Sequence, residues 1–358
     1  MSIGNERPRV MNLPSHHGLK KSSASQAAGT RRAFGVGLLA GIWLAAEAAS
    51  AGSFIMGDAV SLSKLSRRYN FLSYTARGKN LKLRTKFNTF AFEGDTRKVE
   101  FNNILIWLNA PVARHWGSWT IRDIDVDKTI LPLINPSRAL KSENWRRVVL
   151  DPGHGGQDPG AADLRRGLEE KRIALELARR VRTILQKYNV DMHLTRSSDQ
   201  TIDLDQRCRL ANRYGADLFV SIHLNASANS DASGIETHIL PPAGCPITAS
   251  AFVGSRDRRA FPGNRHDGAN MVLGYYLQRS MIKYARLEDR GVRRSRFYVI
   301  RNVNCPAALV ECGFISSRSD RTKIMTMAYQ DNVARGIAEG IVTYINMVKR
   351  AQAPGRAK

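Results

Sequence analysis

Residues 148–156, VVLDPGHGG, constrain this chain more than any other stretch. Val148, Val149 and Leu150 read as a short buried strand, and the Pro152-Gly153 pair breaks it into a turn. His154 therefore follows the carboxyl end of a strand, the edge at which open α/β sheets place their ligand sites. Glycines at 153, 155 and 156 let the backbone and a bound atom approach closely. A histidine between glycines is as readily a turn residue, so its meaning depends on the rest of the chain.

From Arg147 onward the chain alternates strand and helix. Residues 170–188 carry apolar side chains at 173, 177, 181, 184, 185 and 188, the spacing of one buried helical face. Residues 190–195 read as a strand, 204–214 as a helix, 217–224 (DLFVSIHL) as a buried strand and 234–240 as another. A loop rich in Pro, Gly and Arg covers 241–264, and helical spacing resumes over 266–285. The last strands are expected at 298–301 and 307–311, with a closing helix over 329–348. Such alternation predicts an α/β domain over 147–350: a doubly wound, mostly parallel sheet with helices on both faces.

A small α+β module is expected ahead of it, over 54–136. Helical potential at 62–69 precedes short strands at 81–83, 85–87 and 90–92, a turn at Asn102-Asn103 and a strand over 104–108. It carries no catalytic signature and is expected to space or dock the domain that follows. Residues 137–146 read as a polar linker and 351–358 as a basic tail with nothing to bury.

Residues 1–51 read as a leader. Arg31-Arg32 precede an apolar segment, 33–46, that is too short to span a bilayer and suits a signal peptide, and Ala49-Ser50-Ala51 supplies small residues for cleavage. Export to the periplasm or cell envelope is the consequence, with no stable membrane span after cleavage; an uncleaved anchor is the alternative. The twin arginine points to twin-arginine export. A formal charge of +24 favours polyanionic partners. The chain lacks an RNA-binding or zinc-finger pattern with interleaved aromatics, so nucleic acid is not expected among them. Cysteines at 208, 245, 305 and 312 are too few for a disulfide scaffold and lack C-x-x-C spacing.

Three candidate ligands fall at the same carboxyl edge of the sheet: His154 after the first strand, Glu170 at the start of the first helix, and His223 at the end of FVSIH. Two imidazoles and one carboxylate with an open position make a catalytic zinc set. The structural alternatives are a core histidine at 223 and a helix-dipole carboxylate at 170, and Glu169 is the rival ligand. Glu311, in ALVECGF, ends an apolar strand, where a carboxylate is costly unless something positive faces it. It is the candidate general base, with an ion pair to an arginine as the alternative. Cys312 reads as a small buried residue, His193, His238 and His266 as structural or surface residues, and Glu236 as a residue that orients a site neighbour.

Four blocks in order carry a resemblance: DPGHGGxDPG at 151–160, GLEEK at 167–171, RxxxANRYGADLFVSIHxNA at 207–226 and AxLVExGFIS at 307–316. Together they resemble the zinc-dependent N-acetylmuramoyl-L-alanine amidases of the type-3 family, over about 148–348. The resemblance implies a peptidoglycan hydrolase that cleaves the amide between the muramoyl lactyl group and the L-alanine of the stem peptide. It implies Zn2+ held by His154, Glu170 and His223, with Glu311 as catalytic carboxylate. The family's ligand is the glutamate directly before lysine, which favours Glu170 over Glu169. Asn225 matches a motif position without an assigned role, and Leu224 and Cys312 stand where smaller or hydroxyl residues are commoner. The 241–264 loop lies where some relatives carry an inhibitory helix, but its Pro and Gly content argues against strong self-inhibition here. The module at 54–136 loosely resembles stalk domains that accompany bacterial wall enzymes. Peptidoglycan is the expected partner, with a protein activator unidentified. The competing functions are a zinc peptidase of stem peptides and a non-catalytic wall-binding protein.

Overall fold

Three apolar runs, each buried on both faces, make the centre of the sheet in the computed structural model, which describes residues 58–140 and 147–352. The amino-terminal part comes first in the chain: β1 (Ala59–Ser61), α1 (Leu62–Arg68), β2 (Ser73–Arg77), β3 (Asn80–Arg84), β4 (Thr89–Glu93), β5 (Lys98–Phe101), β6 (Ile104–Trp107), β7 (Ala113–His115) and β8 (Ser118–Arg122). β2 to β6 form an antiparallel meander, while β1, β8 and β7 make a separate three-stranded sheet. Residues 85–87, expected as a strand, form the β3–β4 turn, closed by Thr85 N–H donating to Asn88 O at 2.8 Å. Phe87 is exposed at its tip, so the apolar signal there was a surface residue.

The second part contains β9 (Arg147–Pro152), the short pair β10 (Ala162–Asp163) and β11 (Leu168–Glu169), α2 (Glu170–Gln186), β12 (Asp191–Leu194), α3 (Leu204–Arg213) and β13 (Leu218–Asn225). Then come β14 (Ile235–Ile239), α4 (Asp267–Ala285), β15 (Asp289–Arg294), α5 (Tyr298–Asn302), β16 (Ala307–Phe314), α6 (Arg318–Ile324) and α7 (Met327–Gln352). The strand order is β12-β9-β13-β16-β14-β15, parallel except between β16 and β14. The period of two sorts the side chains. Val148, Leu150, Val220, Ile222 and Val310 join the core under α2, α4 and α7, whereas Val149, Phe219, Ala307 and Leu309 pack with Cys208 and Ala211 of α3 and with Val299 and Ile300 of α5. Helices thus cover both faces, the doubly wound α/β arrangement expected from the sequence.

Two elements differ from the sequence reading. Residues 298–301 are helical: Val299 and Ile300 of this short helix are buried against the β9–β13–β16 face, and Val303, extended just past its end, is buried with them. β15, DRGVRR, was not expected, because its inward residues are Val292 and a fully buried arginine, Arg294, which hides the alternation.

β15 also joins the two parts. Val292 pairs with Ile106 of β6, so the meander continues the same eleven-stranded sheet. Leu105 N–H donates to Asp289 Oδ2 at 2.9 Å and Trp107 Nε1 to Arg290 O at 3.1 Å, and Phe101 packs on Tyr275 of α4 with ring centroids 5.0 Å apart. The stretch expected as a docking unit therefore shares its sheet and one hydrophobic core with the rest. The leader expected over 1–51, most of the linker over 137–146 and the tail beyond Gln352 lie outside the described residues, while Pro136–Arg138 form a 3-10 turn. All four cysteines are free and buried. No helix among the described residues is long and apolar enough to cross a membrane.

Candidate metal centre

His223 and Glu311 occupy the same register on the parallel neighbours β13 and β16, so their side chains share one face at the carboxyl end of the sheet. β9 ends beside them, and the turn after it brings in His154. Glu170 enters from the first residue of α2. Its Oε1 lies 3.1 Å from His154 Nε2 and 2.8 Å from His223 Nδ1, and also accepts Leu224 N–H at 3.0 Å. Oε2 accepts Ala161 N–H at 2.8 Å. One potential ligand atom from each of His154, Glu170 and His223 lies within 4.8 Å of the other two. Two imidazole nitrogens and one carboxylate oxygen on distant segments are the donor set of a divalent transition metal. Glu169, the rival, turns away to pair with Arg172 at 2.9 Å.

Charge reflects this convergence. Burial alone would raise the Glu170 pKa, but hydrogen bonds from both imidazoles hold it well below the usual carboxylate range. Burial likewise disfavours a charged His154, yet Glu170 and Asp158 outweigh it and raise its pKa. Glu311 differs from both. It is buried, its Oε2 has no hydrogen-bond partner, and burial followed by the nearby Glu170 and Glu236 carboxylates raises its pKa well above normal. An orphaned acid beside three converging groups that could hold a metal ion fits a site that takes a cation.

The loop bearing His154 is held by groups the sequence reading did not single out. His154 adopts φ +58, a left-handed conformation costly for a residue with a side chain. Arg207 donates to the carbonyls of Pro152 at 2.6 Å and His154 at 2.5 Å, and pairs with the buried Asp151 at 2.7 Å. Arg196 donates to Pro152 O at 3.0 Å, Gly153 O at 2.6 Å and Lys171 O at 2.8 Å. Burial, then the charge of Arg207, pulls the Arg196 pKa down to about 10. Two nearly fully buried guanidiniums therefore satisfy carbonyls that a turn would leave open. Arg207 opens the 207–226 block of the resemblance, without a role read for it, and Arg196 carried no signal in the sequence. Asp158 adds a further restraint, its Oδ2 lying 2.7 Å from His154 Nδ1.

Glycine at 153 is sterically required, since a Cβ there would stand 2.2 Å from His223 Cε1. Gly153→Ala should push the imidazole aside and weaken divalent-metal binding at least ~10-fold, as measured by titration calorimetry; unchanged affinity would show that the ring has room to yield.

A cleft of about 510 Å3 opens beside the site, lined among others by His154, Thr201, His223, Phe297, Tyr298 and Glu311. None of the described residues from 241 to 285 lines it. The 241–264 loop holds only two short 3-10 turns, Ser255–Arg258 and Pro262–His266, and Arg97 of the amino-terminal part binds Ile247 O at 3.0 Å and Ser250 O at 3.1 Å. His193 stacks on Tyr214, with ring centroids 4.4 Å apart, and His266 Nε2 lies 3.0 Å from Asn304 O.

The profile described as N-acetylmuramoyl-L-alanine amidase matches residues 148–343. The N-acetylmuramoyl-L-alanine amidase AmiA of Escherichia coli (strain K12) is 31% identical over 242 residues, covering 62% of this chain and 83% of that protein. CwlM of Bacillus licheniformis, named as the same activity, is 34% identical over 209 residues, covering 58% and 72%. Among solved structures, the catalytic domain of CwlV from Bacillus (Paenibacillus) polymyxa var. colistinus aligns with a TM-score of 0.48 at 31% identity, over 56% of this chain and 99% of that chain.

Proposed function

The chain belongs to the N-acetylmuramoyl-L-alanine amidase family, and on that premise we propose that it cleaves the muramoyl–L-alanine amide of peptidoglycan with a zinc ion held by His154, Glu170 and His223 and with Glu311 as the proton carrier. One observation carries the reading: three donor atoms converge within 4.8 Å, and a buried carboxylate with an unpartnered oxygen stands in register with one of them. Zinc supplies Lewis acidity, polarising the amide carbonyl and making water a competent nucleophile near neutral pH.

The protein's own groups do the rest. Asp158 fixes the His154 ring through Nδ1, leaving Nε2 directed at the site. Leu224 and Ala161 N–H groups lock the Glu170 carboxylate. Glu311 takes the proton of the attacking water and returns it to the departing nitrogen of L-alanine. Its raised proton affinity suits the second half of that task, and its unpartnered Oε2 is the atom available for both. The substrate lies in the cell envelope, which is where we place the enzyme after removal of a leader within 1–51.

Digestion of purified sacculi by the full chain tests this. Mass spectrometry should show intact stem peptides with a free L-alanine amine, and a chelator should abolish their release. Cuts within the stem peptide would instead support the peptidase reading, and chelator-resistant release would remove the metal. Asp158→Ala should lower zinc affinity about 10- to 100-fold without displacing the loop, since Arg207 still holds it. Competition with a chromogenic chelator measures that change.

A further inference from the structure

A second polar cluster begins where the catalytic row ends. β16 pairs on its other side with β14, and Glu236 stands opposite Glu311 in that register. The row of His223 and Glu311 thus runs on into Glu236 across the same face of the sheet. Glu236 is buried, and its Oε1 accepts Asn225 Nδ2 at 2.6 Å. Its Oε2 meets Arg290 Nε at 3.2 Å and Arg293 Nη1 at 3.0 Å. Both guanidiniums lie on aromatic rings: Arg290 is 4.9 Å from the centroid of Phe314, and Arg293 is 5.3 Å from that of Trp107. Trp107 comes from β6 of the amino-terminal part and is fixed by its own bond to Arg290 O.

The charges of this cluster do not cancel. Two guanidiniums face one carboxylate, while His238, 3.5 Å from Glu236 and bonded to Ser295, is held towards its neutral form chiefly by burial. The arginine side chains remain 26% and 20% exposed, so the excess positive charge is reachable from solvent. A guanidinium has five N–H donors. The contacts to Glu236 and Ser233 O engage Nε and Nη1 of Arg290 and Nη1 of Arg293.

Substrate chemistry says what such a shelf would take. The acyl half of the scissile amide is the lactyl carboxyl of muramic acid, whose charge is consumed in the bond itself. The amine half starts at L-alanine and continues into an acidic second residue, so the nearest anion lies on the peptide side. We propose that Arg290 and Arg293 form the subsite for the carboxylate of that second residue, with Glu236 and Trp107 as positioning residues; the proposal rests on the amidase reading above. The stem peptide then leaves the catalytic row over β14 and β15, and the amino-terminal part helps build the substrate site through Trp107.

The test compares two muropeptides that differ only in whether the second residue carries a free carboxylate or a carboxamide, using the zinc-loaded full chain. The wild-type kcat/KM should favour the free acid by about tenfold, mainly through KM, as a charge-assisted contact would give. Arg293→Gln and Arg290→Gln should raise KM for the acid far more than for the amide and so erase the preference, while Arg293→Lys should restore part of it. Equal wild-type kinetics on the two substrates would overturn the proposal without any variant having to fold. So would variants that lose the same factor on both substrates through kcat. Cleavage of neither substrate by the wild type would remove the amidase reading itself, an outcome distinct from equal cleavage of both.

Discussion

Replacing Glu311 with glutamine is expected to lower kcat by roughly 10²- to 10⁴-fold, the usual contribution of a positioned general acid–base group. The change preserves shape and removes only the ability to take up and return a proton. Glu311 is not among the three converging donors, so zinc content should stay at one ion per chain. Its Oε2 has no hydrogen-bond partner, and the cost of burying a charge disappears with the carboxylate. The metal-free variant should therefore melt no lower than the wild type. Steady-state kinetics together with melting curves check both halves, and a variant that keeps most of its activity would end the proton-carrier assignment.

Asp125→Ala is the substitution with the largest expected effect on stability. Asp125 is fully buried and accepts Asn109 N–H at 2.8 Å, Asn109 Nδ2 at 2.9 Å, Ala110 N–H at 3.1 Å and Thr129 Oγ1 at 3.3 Å. Thr129 Oγ1 in turn accepts Arg294 Nη2 from β15 at 2.8 Å. Removing the carboxylate strands several buried donors and takes away the largest negative charge acting on Arg294, leaving Asp267 as its remaining carboxylate, a loss of about 3–5 kcal/mol. Melting should fall by roughly 10 °C, given a few degrees per kcal/mol in a chain of this size. Thermal denaturation measures this, and a change under about 2 °C would mean that the amino-terminal part is docked rather than joined. Activity at low temperature should survive, since neither Asp125 nor the residues bonded to it line the cleft beside His154 and Glu311.

The convergence of the candidate residues was legible because each flanks an element whose period is plain: His154 follows β9, Glu170 opens α2, and His223 and Glu311 lie towards the carboxyl ends of β13 and β16. Val148 to Leu150 and FVSIH are apolar runs that mark buried parallel strands, and a histidine or glutamate at the carboxyl end of such a run must reach the same edge. The supports of that site were less visible. No role was read for Arg196, or for Arg207 beyond its place at the head of the 207–226 block, and only the fold shows them buried against the carbonyls of the His154 loop. Residues 298–301 misled because three apolar residues in a row fit a strand as well as a helix, and the burial of the adjacent Val299 and Ile300 on one side suits a short helix laid against the sheet. The join at β15 was hidden for a different reason. Arg294 faces inward only because Asp125 and Thr129, some 165 residues earlier in the chain, are there to receive it, and no local pattern records a partner so distant.

The most direct test of the metal assignment is anomalous diffraction at the zinc edge from crystals of the full chain grown with zinc. A single strong peak is expected about 2.0–2.2 Å from one ring nitrogen of His154, one of His223 and one carboxylate oxygen of Glu170. A peak ligated by other side chains, or none at these three residues in zinc-saturated crystals, would contradict the account.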